Sequence, residues 1–122
     1  MTTILLFRDT DGAVPFLEWF EALPDVARIR CRARLGLLAD QGHELRRPAA
    51  DYLRDGIHEL RAKAGRVQYR VLYFFHGRQV VVLSHGLVKE RSAVPEIEIE
   101  RARRRKLAFE SNPSRYTHGQ RS

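Results

Sequence analysis

Four charged side chains fall where a strand normally packs or pairs its residues. Glu59 and Arg61 lie two apart in the strand-like run GIHELR, so both project from one face of it. Arg70 is embedded in YRVLYFF and shares parity with Leu72 and Phe74, while Tyr69, Tyr73 and Phe75 take the other face. Lys89 closes VVVLSHGLVK in the parity of Val81, Leu83, His85 and Leu87, with Arg91 one step beyond. A strand would hold such a lysine at the sheet rim as a positioned cation. Two readings of Arg70 carry equal weight: a packed stem with its guanidinium paired to Glu59, or a cation held rigidly for a phosphate. Glu59 and Arg61 are equally open to reading as a simple cross-strand pair.

Fixed cations suit chemistry at phosphorus. The chain contains no H-x3-H, G-x4-GK or G-x-S-x-G pattern, which argues against zincins, P-loop enzymes and α/β-hydrolases. Cys31 is the only cysteine, so neither an intramolecular disulfide nor a cysteine-based zinc site is available, and it reads as a small hydrophobe in a helix. RNA cleavage needs none of these devices. The 2′-OH is an internal nucleophile; a protein has only to align it, stabilise charge on the phosphorane and protonate the departing 5′-oxygen. Arginine and lysine serve the second task, and a desolvated lysine serves proton transfer. His58, His76, His85 and His118 are alternative acids or bases, with His85, on the parity of Lys89, first among them. Glu59 and Glu90 are further acid–base candidates, and Lys63, Arg66 and Arg91 are candidate RNA-binding cations beside the cluster.

The whole chain sets the frame for these residues. Its 122 residues suit one compact domain, with 43% hydrophobic and 30% charged residues excluding a disordered or membrane class. A net charge of +7 favours polyanionic partners. The N-terminus lacks a basic n-region and its apolar run at 4–7 is too short for a secretory signal or a membrane span, so a cytoplasmic location is expected.

Periodicity predicts the elements that must carry the cluster. A first strand spans 4–7, followed by turn residues Asp9 to Gly12. A helix opens near Pro15 with Phe16, Phe20 and Leu23 inward, and Pro24 ends it. In a second helix Val26, Ile29, Ala33 and Leu37 form the apolar stripe, with arginine rows Arg28/Arg32 and Arg30/Arg34 read as solvated flanks, and Gly42 offers a stop. Residues 42–53, broken by Pro48, read as a loop or a short turn of helix. Strands at 56–61, 66–75 and 80–88 form an antiparallel meander, the last two joined at His76-Gly77. A final helix opens at Pro95, with Glu96, Glu98 and Glu100 before Arg101 and the basic run beyond it, a charge order that suits the helix dipole. Residues 1–110 thus form the expected domain, and 111–122 a polar tail with almost nothing to bury, expected to be flexible or ordered only by a partner. The order β-α-α-β-β-β-α predicts an α+β fold: an antiparallel sheet with a helical hairpin on one face, its other face partly open beside a C-terminal helix.

The order of motifs DGIHELR, YRVLYFF, a short turn, VVVLSHGLVKE and a helix opened by PEIEIERA resembles the HigB-like branch of the RelE/ParE toxin superfamily, over about residues 53–110. The resemblance implies a microbial-RNase-like RelE fold and a toxin of a type II toxin–antitoxin module. It implies an mRNA interferase that cleaves on the translating ribosome with neither metal nor other cofactor. It also implies a cognate antitoxin, commonly a helix-turn-helix DNA-binding protein. Position by position, Arg61 matches the arginine of the family's ELR, Arg70 that of its YR-x-x-Y strand, and Lys89 the first cation of its FVKK-like strand end. Glu90 stands where that pattern has a second lysine, with Arg91 following, and Pro95 stands where related RelE toxins carry a tyrosine. Two other functions fit the same chain: a ParE-like inhibitor of DNA gyrase that cleaves nothing, and a basic RNA-binding module without activity.

Overall fold

A computed structural model describes residues 1–89 and 93–119 of the chain, so Glu90 and Arg91 of the candidate site lie outside the described residues. In chain order the elements are β1 (Thr3–Leu6), α1 (Pro15–Glu21), α2 (Asp25–Gln41), a single 3₁₀ turn (Gly42–Glu44), β2 (Ala50–Arg54), β3 (Ile57–Ala64), β4 (Val67–His76), β5 (Val80–Lys89) and α3 (Glu96–Ser111). The strands form one sheet in the order β1-β5-β4-β3-β2.

The expected meander β3-β4-β5 is present and antiparallel throughout. Two departures occur at the sheet edges. β1 pairs parallel to β5, so the sheet is mixed rather than antiparallel. The stretch read as a loop supplies β2, whose Asp51 and Tyr52 face Glu59 and His58 of β3. Pro48 precedes that strand and therefore removes none of its ladder hydrogen bonds.

Alternation along the strands builds two cores. One face sets Leu60, Tyr69, Val71, Tyr73, Val81 and Leu83 against Phe16, Phe20 and Leu23 of the hairpin and Ala27, Cys31 and Leu38 of α2. The other sets Ile57, Leu72, Phe74 and Val82 against Val94, Ile99, Ala102 and Phe109. The second face, expected to be partly open, is therefore covered by α3 along much of its length. The result is the RelE-like α+β arrangement, a five-stranded sheet with an N-terminal helical hairpin on one face. No helix among the described residues is long and apolar enough to cross a membrane.

The inward face of α2 differs from the predicted stripe. Val26 and Ile29 are 57% and 61% exposed, Ala33 is also exposed, and the buried positions are Ala27, Cys31 and Leu38. Of the predicted stripe, Leu37 does pack against this core, and the small side chains of Ala27 and Cys31 let the helix lie close to the sheet. A similar close approach fixes α1, because a Cβ on Gly86 of β5 would lie 2.1 Å from the Trp19 indole.

The segment after α3 also departs from expectation. Tyr116 stacks on Phe7 with ring centroids 5.6 Å apart, Thr117 bridges to Phe7, and the His118 N–H donates to the Leu6 carbonyl at 2.8 Å. Residues 116–118 thus return to the edge of β1 and give Phe7 part of its cover.

One irregularity decides where the cations go. Tyr73 pairs with Leu83 but Leu72 pairs with His85, so β5 carries an extra residue at Ser84. Such a bulge reverses the facing of every later side chain. Val81 and Leu83 face the helical hairpin, whereas His85, Leu87 and Lys89 face the side of α3. The single parity predicted from Val81 to Lys89 therefore does not hold, and without the bulge Lys89 would stand on the opposite face from Arg70.

Candidate functional site

The cross-strand register assembles the predicted cations. Arg61 lies directly opposite Arg70, Glu59 opposite Leu72, and Gln68 pairs with Lys63 on one side and Lys89 on the other. Glu59, Arg61, Arg70 and Lys89 therefore share one end of the α3-side face. Two arginines facing each other across a ladder repel unless a carboxylate intervenes. Glu59 supplies it: its Oε1 lies 2.5 Å from Nε of Arg70 and its Oε2 3.5 Å from Nη2 of Arg61.

Arg70 and Glu59 are 4% and 5% exposed, so they form a buried ion pair. Their close approach is one of charge rather than of an aligned hydrogen bond, because neither Nε of Arg70 nor Oε1 of Glu59 finds a bonded partner. The guanidinium is instead fixed by its ends: Nη1 donates to the Tyr69 carbonyl at 3.2 Å and Nη2 to Oε1 of Gln68 at 3.0 Å. Burial lowers the Arg70 pKa and Glu59 works against that, yet arginine remains a cation at any ordinary pH. Of the two readings of Arg70, the geometry shows the packed stem with its guanidinium paired to Glu59.

Asp51 of β2 is a member of the cluster that the sequence reading missed. Its Oδ2 accepts from Nε of Arg47 at 2.9 Å and from Nη2 of Arg61 at 3.3 Å. The Arg47 hydrogen bond, with help from the Tyr52 N–H, holds the Asp51 carboxyl below its usual range. Its signal was hidden because β2 itself read as a loop. Gln68 was missed for a simpler reason: an exposed glutamine has no distinguishing pattern.

Lys89 is half-buried at the rim, and no carboxylate lies within ion-pair distance of it among the described residues. Burial lowers its pKa, Arg70 and Arg61 lower it further, and Glu59 opposes them. A lysine of this kind gives up its proton more readily than a surface one, as a proton donor must. The charge excess continues outward: Lys63 and Arg66 are exposed near the β3–β4 turn, and Lys63 lines a groove with Arg30 and Arg34 of α2.

The histidines do not join this cluster. His85 does face the side of α3, but it is sealed there, with Nδ1 3.0 Å from Nη1 of Arg105 and 2.8 Å from Oγ of Ser84, and Nε2 3.0 Å from Oε1 of Glu98. Arginine can only donate, so Nδ1 accepts and Nε2 carries the proton given to Glu98. Burial first, and the Arg105 charge second, push the His85 pKa down to about 4, against the pull of Glu98. A neutral imidazole with all its bonds spent is no acid or base for a substrate. His58 lies on the opposite face against Tyr73, and His76 packs edge-on to Phe109. Among the described residues, no group of His, Cys, Asp and Glu is placed to hold a metal ion.

Comparison with known families adds a second line of argument. The family model described as Phage derived protein Gp49-like (DUF891) matches residues 18–107, which contain every cluster residue named above. No curated protein matches the chain. Because the match spans well over half of its length and takes in strands β2 to β5, α2 and the cation cluster, this chain belongs to the Gp49-like family, a toxin–antitoxin-associated group of RelE type.

Proposed function

We propose that the chain is the toxin of a type II toxin–antitoxin module and cleaves mRNA on the ribosome, as the HigB-like branch does. The observation that carries this reading is the excess of positive charge at the strand ends: Arg61, Arg70 and Lys89 gather around enclosed Glu59, and a further carboxylate, Asp51, is shared between Arg61 and Arg47. An RNA phosphate laid on this rim supplies the missing negative charge. The 2′-oxygen attacks phosphorus and the bond to the 5′-oxygen breaks, leaving a 2′,3′-cyclic phosphate and a 5′-hydroxyl. Arg70, with Arg61 beside it, stabilises the charge that grows on the non-bridging oxygens, where preorganised donors are worth most. Lys89 donates the proton that the 5′-oxygen takes as it leaves. Lys63 and Arg66 hold the flanking backbone.

Glu59 and Asp51 are each bound by arginines, so neither is a ready base for the 2′-OH. That assignment gives the ribosome a chemical part in the reaction: it presents the mRNA with the 2′-oxygen in line and accepts or relays its proton. The site of action is then the cytoplasm. A cognate antitoxin, of the helix-turn-helix DNA-binding kind, silences the protein, most simply by laying carboxylates on the same rim.

Induced expression followed by transcript mapping tests the reading. Cuts inside translated frames, with no DNA-damage response, are expected. A damage response with transcripts intact points instead to a gyrase inhibitor, and salt-sensitive RNA binding without any cut points to an inert binding module.

A further inference from the structure

On the opposite face of the sheet from the cation rim lies a second, half-open site that cleavage does not use. The register sets Tyr52, His58 and Tyr73 side by side on β2, β3 and β4, and the 3₁₀ turn with the residues after it lays His43, Arg46 and Arg47 alongside them. Together they bound a pocket of about 550 Å³. Its walls are flat rings: His58 stacks on Tyr73 at 5.2 Å between centroids, Tyr52 meets His58 edge-on at 5.0 Å, and His43 stacks on Phe75 at 3.6 Å.

The polar groups are as specific as the rings. No hydrogen bond reaches either ring nitrogen of His58 among the described residues, although burial, with His43 and Arg46 nearby, keeps its pKa at about 4 and the ring neutral. It therefore offers one donor and one acceptor inside the pocket. Arg47 stands among the lining residues with its side chain 74% exposed, paired among the described residues with Asp51 alone. Aromatic walls favour a flat ligand, a neutral imidazole favours a hydrogen-bonding ring edge, and guanidiniums favour an attached anion. A volume in this range suits a small ligand.

We propose that this pocket binds one nucleotide unit, with its base against the rings and hydrogen-bonded by His58, and its phosphate on Arg46 and Arg47. The unit is either a free mononucleotide or an unpaired residue of an RNA chain. Occupancy also reaches the cation rim, because a phosphate on Arg47 competes with Asp51, whose Oδ2 is shared between Arg47 and Arg61. Binding is separate from cleavage and is measured without ribosomes.

Titration of the full chain with adenosine monophosphate, adenosine and a short unstructured RNA, followed by NMR of the histidine rings, tests the proposal. The His58 and His43 resonances are expected to shift with the mononucleotide. Arg47→Gln, a surface change, is expected to weaken the mononucleotide at least about tenfold and leave adenosine unaffected, as loss of a charged phosphate contact requires. His58→Leu is expected to weaken both. Tighter binding of the RNA than of the mononucleotide assigns the site to the RNA chain, and equal binding assigns it to free nucleotide. Unmoved His58 resonances at millimolar nucleotide, or shifts that Arg47→Gln leaves intact, overturn the proposal. A Lys89→Ala protein that still cuts mRNA would refute the rim assignment while leaving this pocket standing.

Discussion

Arg70 and His85 are both buried, both polar and both on the α3-side face of one sheet, yet their surroundings differ in kind. His85 has spent all its hydrogen-bonding capacity on Ser84, Arg105 and Glu98 beneath a helix. Arg70 shares the Glu59 carboxylate with Arg61, keeps an unbonded Nε, and has Lys89 for a neighbour. Burial and a shifted pKa are common to the two, so neither marks a site. What separates them is their company: Arg70 has the part-exposed cations Arg61 and Lys89 beside it at the rim, where a ligand can reach them.

The widest separation between the two regions comes from Arg70→Ala. It leaves Glu59 buried without its close partner, a change that costs about 3–5 kcal/mol, and it removes cleavage as well. A Glu59→Gln/Arg70→Met double variant is expected to recover most of the stability in a urea titration and none of the cleavage. Recovery of both sinks the assignment of Arg70.

At the sealed end the expected signature is pH-dependent stability. His85 is moved from 6.5 to about 4, so between those values the folded protein binds fewer protons than the unfolded chain. Stability is therefore complete above pH 6.5 and falls as the pH drops toward 4, with about 3 kcal/mol at stake from the shift. His58, also near 4, acts in the same direction. Thermal melts of His85→Asn are expected to show a flattened profile between those limits, with cleavage per folded molecule unchanged at neutral pH. A steep fall in that cleavage would place His85 in the reaction after all.

Lys89→Ala probes the open end without disturbing the core. Cleavage is expected to fall about a hundredfold, equivalent to about 2.7 kcal/mol of transition-state stabilisation, while the urea midpoint stays within about 0.5 kcal/mol of the parent. A variant that loses stability instead of activity makes Lys89 a structural residue like His85. The smallest effect concerns the helical hairpin. Ile29→Glu is expected to change stability by less than about 0.5 kcal/mol, because Ile29 is exposed on α2, and a large loss reverses the facing described for that helix.

The same contrast runs through what the sequence made legible. The meander and the order of ELR, YR and VKE could be read because strand periodicity is strong there and pairs Arg61 with Arg70 directly. The facing of Lys89 was reached by parity from Val81, yet it is the bulge at Ser84 that puts Lys89 beside Arg70, and Ser84-His85-Gly86 carries no pattern that announces one. His85 misled for the same reason: parity gives a face but not the helix above it. β2 was hidden by its shortness and by Pro48, and with it went Asp51. Of the α2 stripe only Leu37 packs against the core, because periodicity gives the spacing of a stripe but not which row of the helix meets the sheet. Residues 111–119 gave no composition cue, since Tyr116 and Thr117 fit the edge of β1 only once Phe7 is in place.

The most direct test of the central claim is the chemistry of the cut ends in a translating extract. Wild-type protein is expected to leave 2′,3′-cyclic phosphates and 5′-hydroxyls within the reading frame, and equally stable Lys89→Ala protein is expected to leave almost none. Uncut mRNA with the wild-type protein, or cuts of equal number and chemistry with Lys89→Ala, would contradict it.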